Sequence, residues 1–141
     1  MENIPQNRIT PDFIKLLEKN EIFVFGSNLE GNHAGGAARI ALNWGAEPGN
    51  GVGIQGRTYA IPTMFRNVKY IAEYVNDFIE YADDHPEYTF LVTEIGCGIA
   101  GFSPKEIAPL FKNALQIENI HLPKRFWESI GFPQISQNCA D

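Results

Sequence analysis

A chain of 141 residues has the size of one domain, and its 44% hydrophobic and 20% charged residues are ordinary globular composition, which argues against disorder. No apolar run approaches the roughly 20 residues that span a bilayer, and MENIPQNRITPDF has no basic stretch leading into an apolar one, so neither a membrane span nor a secretory signal is expected. A net charge of −6 speaks against general nucleic-acid binding, and two cysteines, Cys97 and Cys139, make no disulfide framework, so a cytoplasmic compartment is expected.

Thr10-Pro11 predicts a first helix: a hydroxyl N-cap, then proline at the first helical position, with Phe13, Ile14, Leu16 and Leu17 as the apolar face. Residues 21–25, EIFVF, read as a short buried strand. A glycine-bearing loop runs from Gly26 to Gly36 into a helix, AARIALNW, that Gly45 stops. Residues 45–57 hold five of the thirteen glycines and predict a mobile loop without a long strand. RTYAIP, residues 57–62, gives a strand ended by Pro62. Val68, Ile71, Ala72, Val75, Phe78, Ile79 and Ala82 recur at intervals of three and four, which predicts an amphipathic helix to about Asp83. Tyr70, Tyr74 and Tyr81 line the rim of its core face.

His85-Pro86 ends that helix, and residues 88–95, YTFLVTEI, have the continuous apolar centre of a strand covered on both faces. The loop GCGIAGF, residues 96–102, is followed by Ser103-Pro104-Lys105-Glu106, a capping box with proline at the first helical position. Ile107, Ala108, Leu110, Phe111, Ala114 and Leu115 form the buried stripe of the helix it opens. QIENIHL gives a last strand and KRFWESIGF a final helical turn, closing a single domain over residues 1–132 with a flexible tail at 133–141. The order α-β-α-β-α-β-α-β places the chain in the α/β class, with a largely parallel sheet between helices and ligand sites at the carboxyl ends of the strands.

Two strand-to-helix junctions carry glycine where a phosphate site needs it: Gly26 to Gly36, and Gly96, Gly98 and Gly101 in the later loop. Glycine lets the backbone approach a phosphate and turn its amides inward, so an acidic protein can bind phosphate without lysines. Neither loop is a P-loop, because no glycine-lysine-serine/threonine follows. Between residues 26 and 69 four basic side chains face two acidic ones, whereas residues 77–94 hold six acidic side chains and no Lys or Arg.

Individual residues keep two readings each. Asn28 is a hydrogen-bonding group for a ribose or an ordinary loop asparagine. Phe102 packs on a sugar or base, or holds its loop against the core. His33 is a general acid or base, or a solvated loop histidine. Cys97 is a nucleophile or a small buried thiol, and Glu94 an edge residue or a site carboxylate. His33, His85 and His121 lie far apart in the sequence and in no metal-ligand pattern, so neither a metal nor another cofactor is expected.

At its two glycine loops the chain resembles a macro domain, the ADP-ribose-binding module. SNLEGNHAGGAARIA is similar to the family's strand-ending asparagine, glycine run and helix start. TEIGCGIAGFSP resembles its G-I-x-G-[FY] loop, with Gly98-Ile99-Ala100-Gly101-Phe102 in register. The likeness covers roughly residues 21–120 and is nearest to small macro-like proteins of bacteria and their phages. It implies a three-layer α/β/α, macro-like (Rossmann-like) fold with a mixed, largely parallel sheet. It further implies that Asn28 contacts the distal ribose and that Gly35, Gly36 and Ala37 line the first phosphate loop. Gly96 opens the second loop, Gly98, Ile99, Ala100 and Gly101 would enclose the diphosphate, and Phe102 would flank the distal ribose. Two departures stand out. Ala38 occupies the place of the catalytic aspartate of hydrolytic members, and the acidic Asp-Ile pair that recognises adenine is not evident. The expected function is binding of a small nucleotide-like ligand of the ADP-ribose type, in recognition or removal of that modification. The rivals are a nucleotide-processing hydrolase using Asn28, His33 or Glu94, and a non-enzymatic interaction domain whose acidic 77–94 stretch docks a partner.

Overall fold

A computed structural model describes residues 4–131, so the tail expected at 133–141 lies outside the described residues. The chain is an α/β protein built on one six-stranded, mostly parallel mixed sheet. Its strands are β1 (Ile9–Thr10), β2 (Glu21–Ser27), β3 (Gly53–Gln55), β4 (Thr58–Pro62), β5 (Thr89–Val92) and β6 (Ile120–Pro123), in the spatial order β1-β6-β5-β2-β4-β3. Only the β3–β4 pair is antiparallel. The helices are α1 (Gly36–Ala41), α2 (Val68–Asp83), α3 (Pro104–Ile107) and α4 (Lys124–Ile130). No helix among the described residues is long and apolar enough to cross a membrane.

Alternation along β2 builds the layers. Ile22 and Val24 face the larger core with α2, α3 and α4, while Phe23 and Phe25 face a smaller one with Ala38 and Ala41 of α1. Helices therefore cover both faces, a three-layer α/β/α arrangement. The larger core is dense in aromatic rings: Phe78 of α2 meets Tyr59, Phe90 and Phe111 edge-on, at centroid distances of 5.1, 5.5 and 6.4 Å.

Several elements stand where local signals put them. Asn67 caps α2 by accepting from Lys69 N at 3.0 Å, and Ile71, Val75, Phe78, Ile79 and Ala82 are its buried face. Ser103 and Glu106 form both halves of the capping box that opens α3. Beyond Ile107 the helix tightens to a 3-10 form over Ala108–Gln116, consistent with Pro109, which has no N–H for the wider ladder.

The first predicted helix is absent. Residues 9 and 10 form β1, and residues 11–20 run irregularly, leaving Phe13 and Leu16 86% and 81% exposed. Strand register explains this. Thr10 pairs with Pro123, and through β6 and β5 it stands level with Phe25. The ten-residue connection to Glu21 must therefore descend four residues and cross three strand spacings, roughly 19 Å, which a helix over all ten, about 15 Å long, would not reach. Arg57 fixes the extended path by donating to the carbonyls of Leu17 and Glu18 at 3.2 and 2.6 Å.

The glycine-rich 45–57 segment also differs from expectation. It contains β3, joined to β4 by a two-residue turn with Gly56 at φ +58°, the left-handed region a hairpin turn requires. Gln55, 2% exposed, ties the segment together: its Oε1 accepts from Glu47 N at 2.8 Å and its Nε2 donates to Asn50 O at 3.0 Å. Ser27 Oγ donates to Gly51 O, and Gly49 N to Gly31 O. The segment buttresses the end of β2.

A residue that no sequence signal marked closes the far edge of the core. The Arg8 guanidinium donates to the carbonyls of Ala114, Leu115, Ile117 and Ile120 at 2.8–3.1 Å and lies 5.0 Å from the Trp127 ring centre.

Candidate functional site

The sheet's connectivity creates a crevice. β2 and β5 are neighbours and parallel, yet β2 leads to α1 on one face and β5 leads to α3 on the other. Loops that leave adjacent strands in opposite directions open a gap at the strands' carboxyl ends, where ligands bind in open α/β sheets. A cleft of about 550 Å³ lies there.

Its walls are the two glycine loops. Asn28, Gly35, Gly36 and Ala37 come from the loop after β2 and Gly96, Gly98, Ile99 and Ala100 from the loop after β5, and Thr63 and Met64 beyond the end of β4 also line the cleft. Gly101 and Phe102 stand outside the lining. Phe102 is half-buried against the larger core, and its N–H donates to Gly96 O at 2.8 Å, which folds the loop back on itself. Gly26, also in the lining, allows a close approach of the surrounding backbone: a Cβ there would sit 3.2 Å from Thr63 Oγ1 and 3.3 Å from Gly96 N.

The lining is rich in unused backbone donors. The N–H groups of Gly36, Ala37 and Ala38 precede the first helical hydrogen bond, made by Arg39 N to Gly35 O at 3.3 Å, and no side chain caps them. The N–H groups of Gly98, Ile99 and Ala100 likewise have no partner among the described residues. No Lys or Arg lines this cleft, and Glu94 is its one charged side chain.

Glu94 follows β5 and is held by Arg125 at the start of α4. Arg125 Nε donates to Oε2 at 2.7 Å and Nη2 to Oε1 at 2.6 Å, a two-pronged pair. That hydrogen bonding holds the Glu94 carboxyl below its usual pKa and raises that of the guanidinium. Both readings of Glu94 thus resolve into a carboxylate that borders the cleft and stays ionised.

A second cleft of about 850 Å³ adjoins the first, and sequence reasoning missed it. Pro11, Phe13, Ile14, Phe23, Ile40 and Pro123 give it apolar walls, with Asp12, Lys15, Lys124 and Arg125 among its remaining lining residues. Gly36, Ala37, Thr93 and Glu94 border both clefts. Thr10, 3% exposed, also lines the second cleft, and its Oγ1 has no partner among the described residues. The second cleft forms only because residues 11–20 are not helical and pass beside the start of α4, a meeting with no local sequence signal.

Of the remaining candidates, Asn28 and Cys97 line the first cleft and His33 lines neither. His33 is 5% exposed rather than solvated: its ring meets Phe25 edge-on at 5.4 Å, its Nε2 lies 3.1 Å from Glu47 O, and it lines neither cleft. Asn28 lines the cleft, but its amide closes onto Asn32, accepting from N at 2.9 Å and donating to O at 3.1 Å. Cys97 is half-buried, and burial, reinforced by the Glu94 charge, pushes its thiol up to about 11. Such a thiol is a poor nucleophile at neutral pH. In a Cys139→Ser variant, which leaves Cys97 as the only thiol, iodoacetamide should alkylate the folded protein at least about tenfold more slowly than the unfolded chain at pH 7. Equal rates would refute the protection. Among the described residues, no group of three or more His, Cys, Asp or Glu side chains is placed to hold a metal ion.

Comparison with family models, curated proteins and solved structures finds no match, so the site is read from its own geometry.

Proposed function

We propose that the chain is a macro-domain relative that binds ADP-ribose or a closely related phosphate-bearing nucleotide metabolite. Its diphosphate lies between the two glycine loops and its base in the adjoining apolar cleft. The observation that carries this reading is the set of six unpartnered backbone N–H groups, three from each of the two loops that line one cleft. An array of unpartnered amides is the backbone's way of holding an anion, and it needs no basic side chain. An apolar cleft opening directly off the anion site suits the flat, largely apolar face of a nucleobase. The likeness of GCGIAGF to the macro-domain diphosphate loop supports the same ligand.

Binding without turnover is the form favoured. Ala38 offers no acid or base, His33 lies outside both clefts, the Asn28 amide is engaged with Asn32, and Glu94 is held in its weakly basic form.

The test is the melting temperature of the full chain with and without ADP-ribose, NAD or AMP. A ligand at about 100 times its dissociation constant adds about 2.7 kcal/mol of stability, a rise of several degrees for a domain of this size. The rise should vanish in Gly98→Glu. A Cβ at Gly98 meets nothing within 4 Å, so this variant keeps its unliganded melting temperature while bringing a carboxylate to the anion site. No rise with any of the three would leave a protein-interaction domain as the better reading.

A further inference from the structure

The two clefts meet at a waist of four residues, and only one of them has a charged side chain. Gly36 and Ala37 have none. The Thr93 hydroxyl gives its one proton to Val24 O at 2.8 Å and keeps only uncharged acceptor capacity. Glu94 remains. Each of its oxygens takes one hydrogen bond from Arg125, and an ionised carboxylate has about four acceptor positions, so capacity is left on both oxygens. The side chain is 35% exposed, so a ligand can reach it.

An ionised carboxylate accepts hydrogen bonds and donates none. It repels phosphate oxygens and rewards a neighbour that brings O–H groups. We propose that Glu94 is a specificity residue that reads the vicinal cis-hydroxyls of the ribose joined to the base, and that it selects ribonucleotides bearing a free 2′-hydroxyl. This rests on the placement of base and diphosphate proposed above, because only that placement puts the base-linked ribose at the waist.

Two neighbouring hydroxyls present a pair of donors matching the pair of carboxylate oxygens, the arrangement by which an acidic side chain reads a ribose 2′-hydroxyl in dinucleotide sites. A 2′-deoxy sugar loses one donor, and a 2′-phosphate replaces it with negative charge against negative charge. Arg125 acts as a positioning residue: its two-pronged grip fixes the plane of the carboxylate and keeps it ionised.

The experiment is calorimetric titration of the full chain with three probes: ADP-ribose, its analogue lacking the adenosine 2′-hydroxyl, and its analogue with a 2′-phosphate there. For the wild type, affinity should fall about tenfold for the deoxy probe, the worth of one hydrogen bond to a charged group, and further for the phosphorylated one. In Glu94→Gln the shape stays and the charge goes, so ADP-ribose should bind more weakly while the 2′-phosphate probe regains affinity relative to it. The wild-type series needs no substitution, so a misfolded variant could not obscure the result. Equal affinity of wild type for all three probes would overturn the role of Glu94 and leave the ADP-ribose reading standing. Unchanged discrimination in Glu94→Gln would do the same. Failure of the wild type to bind ADP-ribose at all would overturn the functional reading, and this inference with it.

Discussion

Replacing Arg8 by alanine is expected to lower the unfolding free energy by about 3 kcal/mol and the melting temperature by roughly 10 °C. The guanidinium serves four carbonyls, those of Ala114, Leu115, Ile117 and Ile120, gathered where the 3-10 stretch turns into β6. Two of these carbonyls also accept a backbone N–H, Ala114 O from Ile117 and Ile117 O from Ile120 at 3.0 Å each, so the loss falls mainly on the Leu115 and Ile120 carbonyls and on the packing of the side chain against Trp127. The contributions are not additive, which is why five hydrogen bonds are expected to yield about 3 kcal/mol and not several times that. Burial lowers the Arg8 pKa from its usual value, yet a guanidinium stays charged throughout the accessible range, so the loss should be independent of pH. Arg8→Lys should restore only part of the stability, because one ammonium lacks the planar fork that reaches several carbonyls at once. Urea unfolding followed by fluorescence measures all three proteins. A loss under about 1 kcal/mol for Arg8→Ala would mean that solvent already satisfies those carbonyls.

Elements whose cause is local could be read directly from the residues. The capping box at Ser103 and Glu106 needs only four consecutive side chains, and α2 needs only a repeating apolar interval, so both stand where they were expected. The convergence of the two glycine loops was also legible, because strand–loop–helix order in a parallel sheet brings successive loops to one end. What escaped depends on partners distant in sequence. Thr10-Pro11 has the form of a helix start, but pairing of Thr10 with Pro123 makes it the end of an edge strand. The apolar spacing of Phe13, Ile14, Leu16 and Leu17 then serves an irregular connection, of which only Ile14 and Leu17 reach the core. His33 looked solvated inside a polar loop, and only the arrival of residues 46–52 buries it against Phe25. Glu94 was visible as a charge interrupting an apolar run, whereas its partner Arg125, thirty-one positions away, was not. The second cleft combines these misses, since it takes its walls from residues 11–15, Pro123 and the first turn of α4.

The same distant pairing predicts the largest effect on ligand binding from a residue that touches no ligand. Gly51→Ala should abolish the response to ADP-ribose and cost about 3 kcal/mol of stability, whereas Gly98→Ala, inside the cleft, should leave the fold unaffected. A Cβ at Gly51 would stand 1.7 Å from Asn28 O and 2.8 Å from Asn28 C, both backbone atoms that no rotamer change can move aside. Relief requires the 46–52 buttress to withdraw from the end of β2, which breaks the bond from Ser27 Oγ to Gly51 O and frees the loop that carries Asn28 toward Gly35 and Gly36. At Gly98 nothing lies within 4 Å of the added methyl. The pair therefore separates two ways of making a glycine necessary: a close approach of two backbones behind the cleft lining, and an open edge within it. Melting curves of both variants, each with and without ADP-ribose, measure the contrast. If Gly51→Ala kept its melting temperature and its ligand response, the glycine-rich segment would be a loose cover over the β2 end and not the support that positions it.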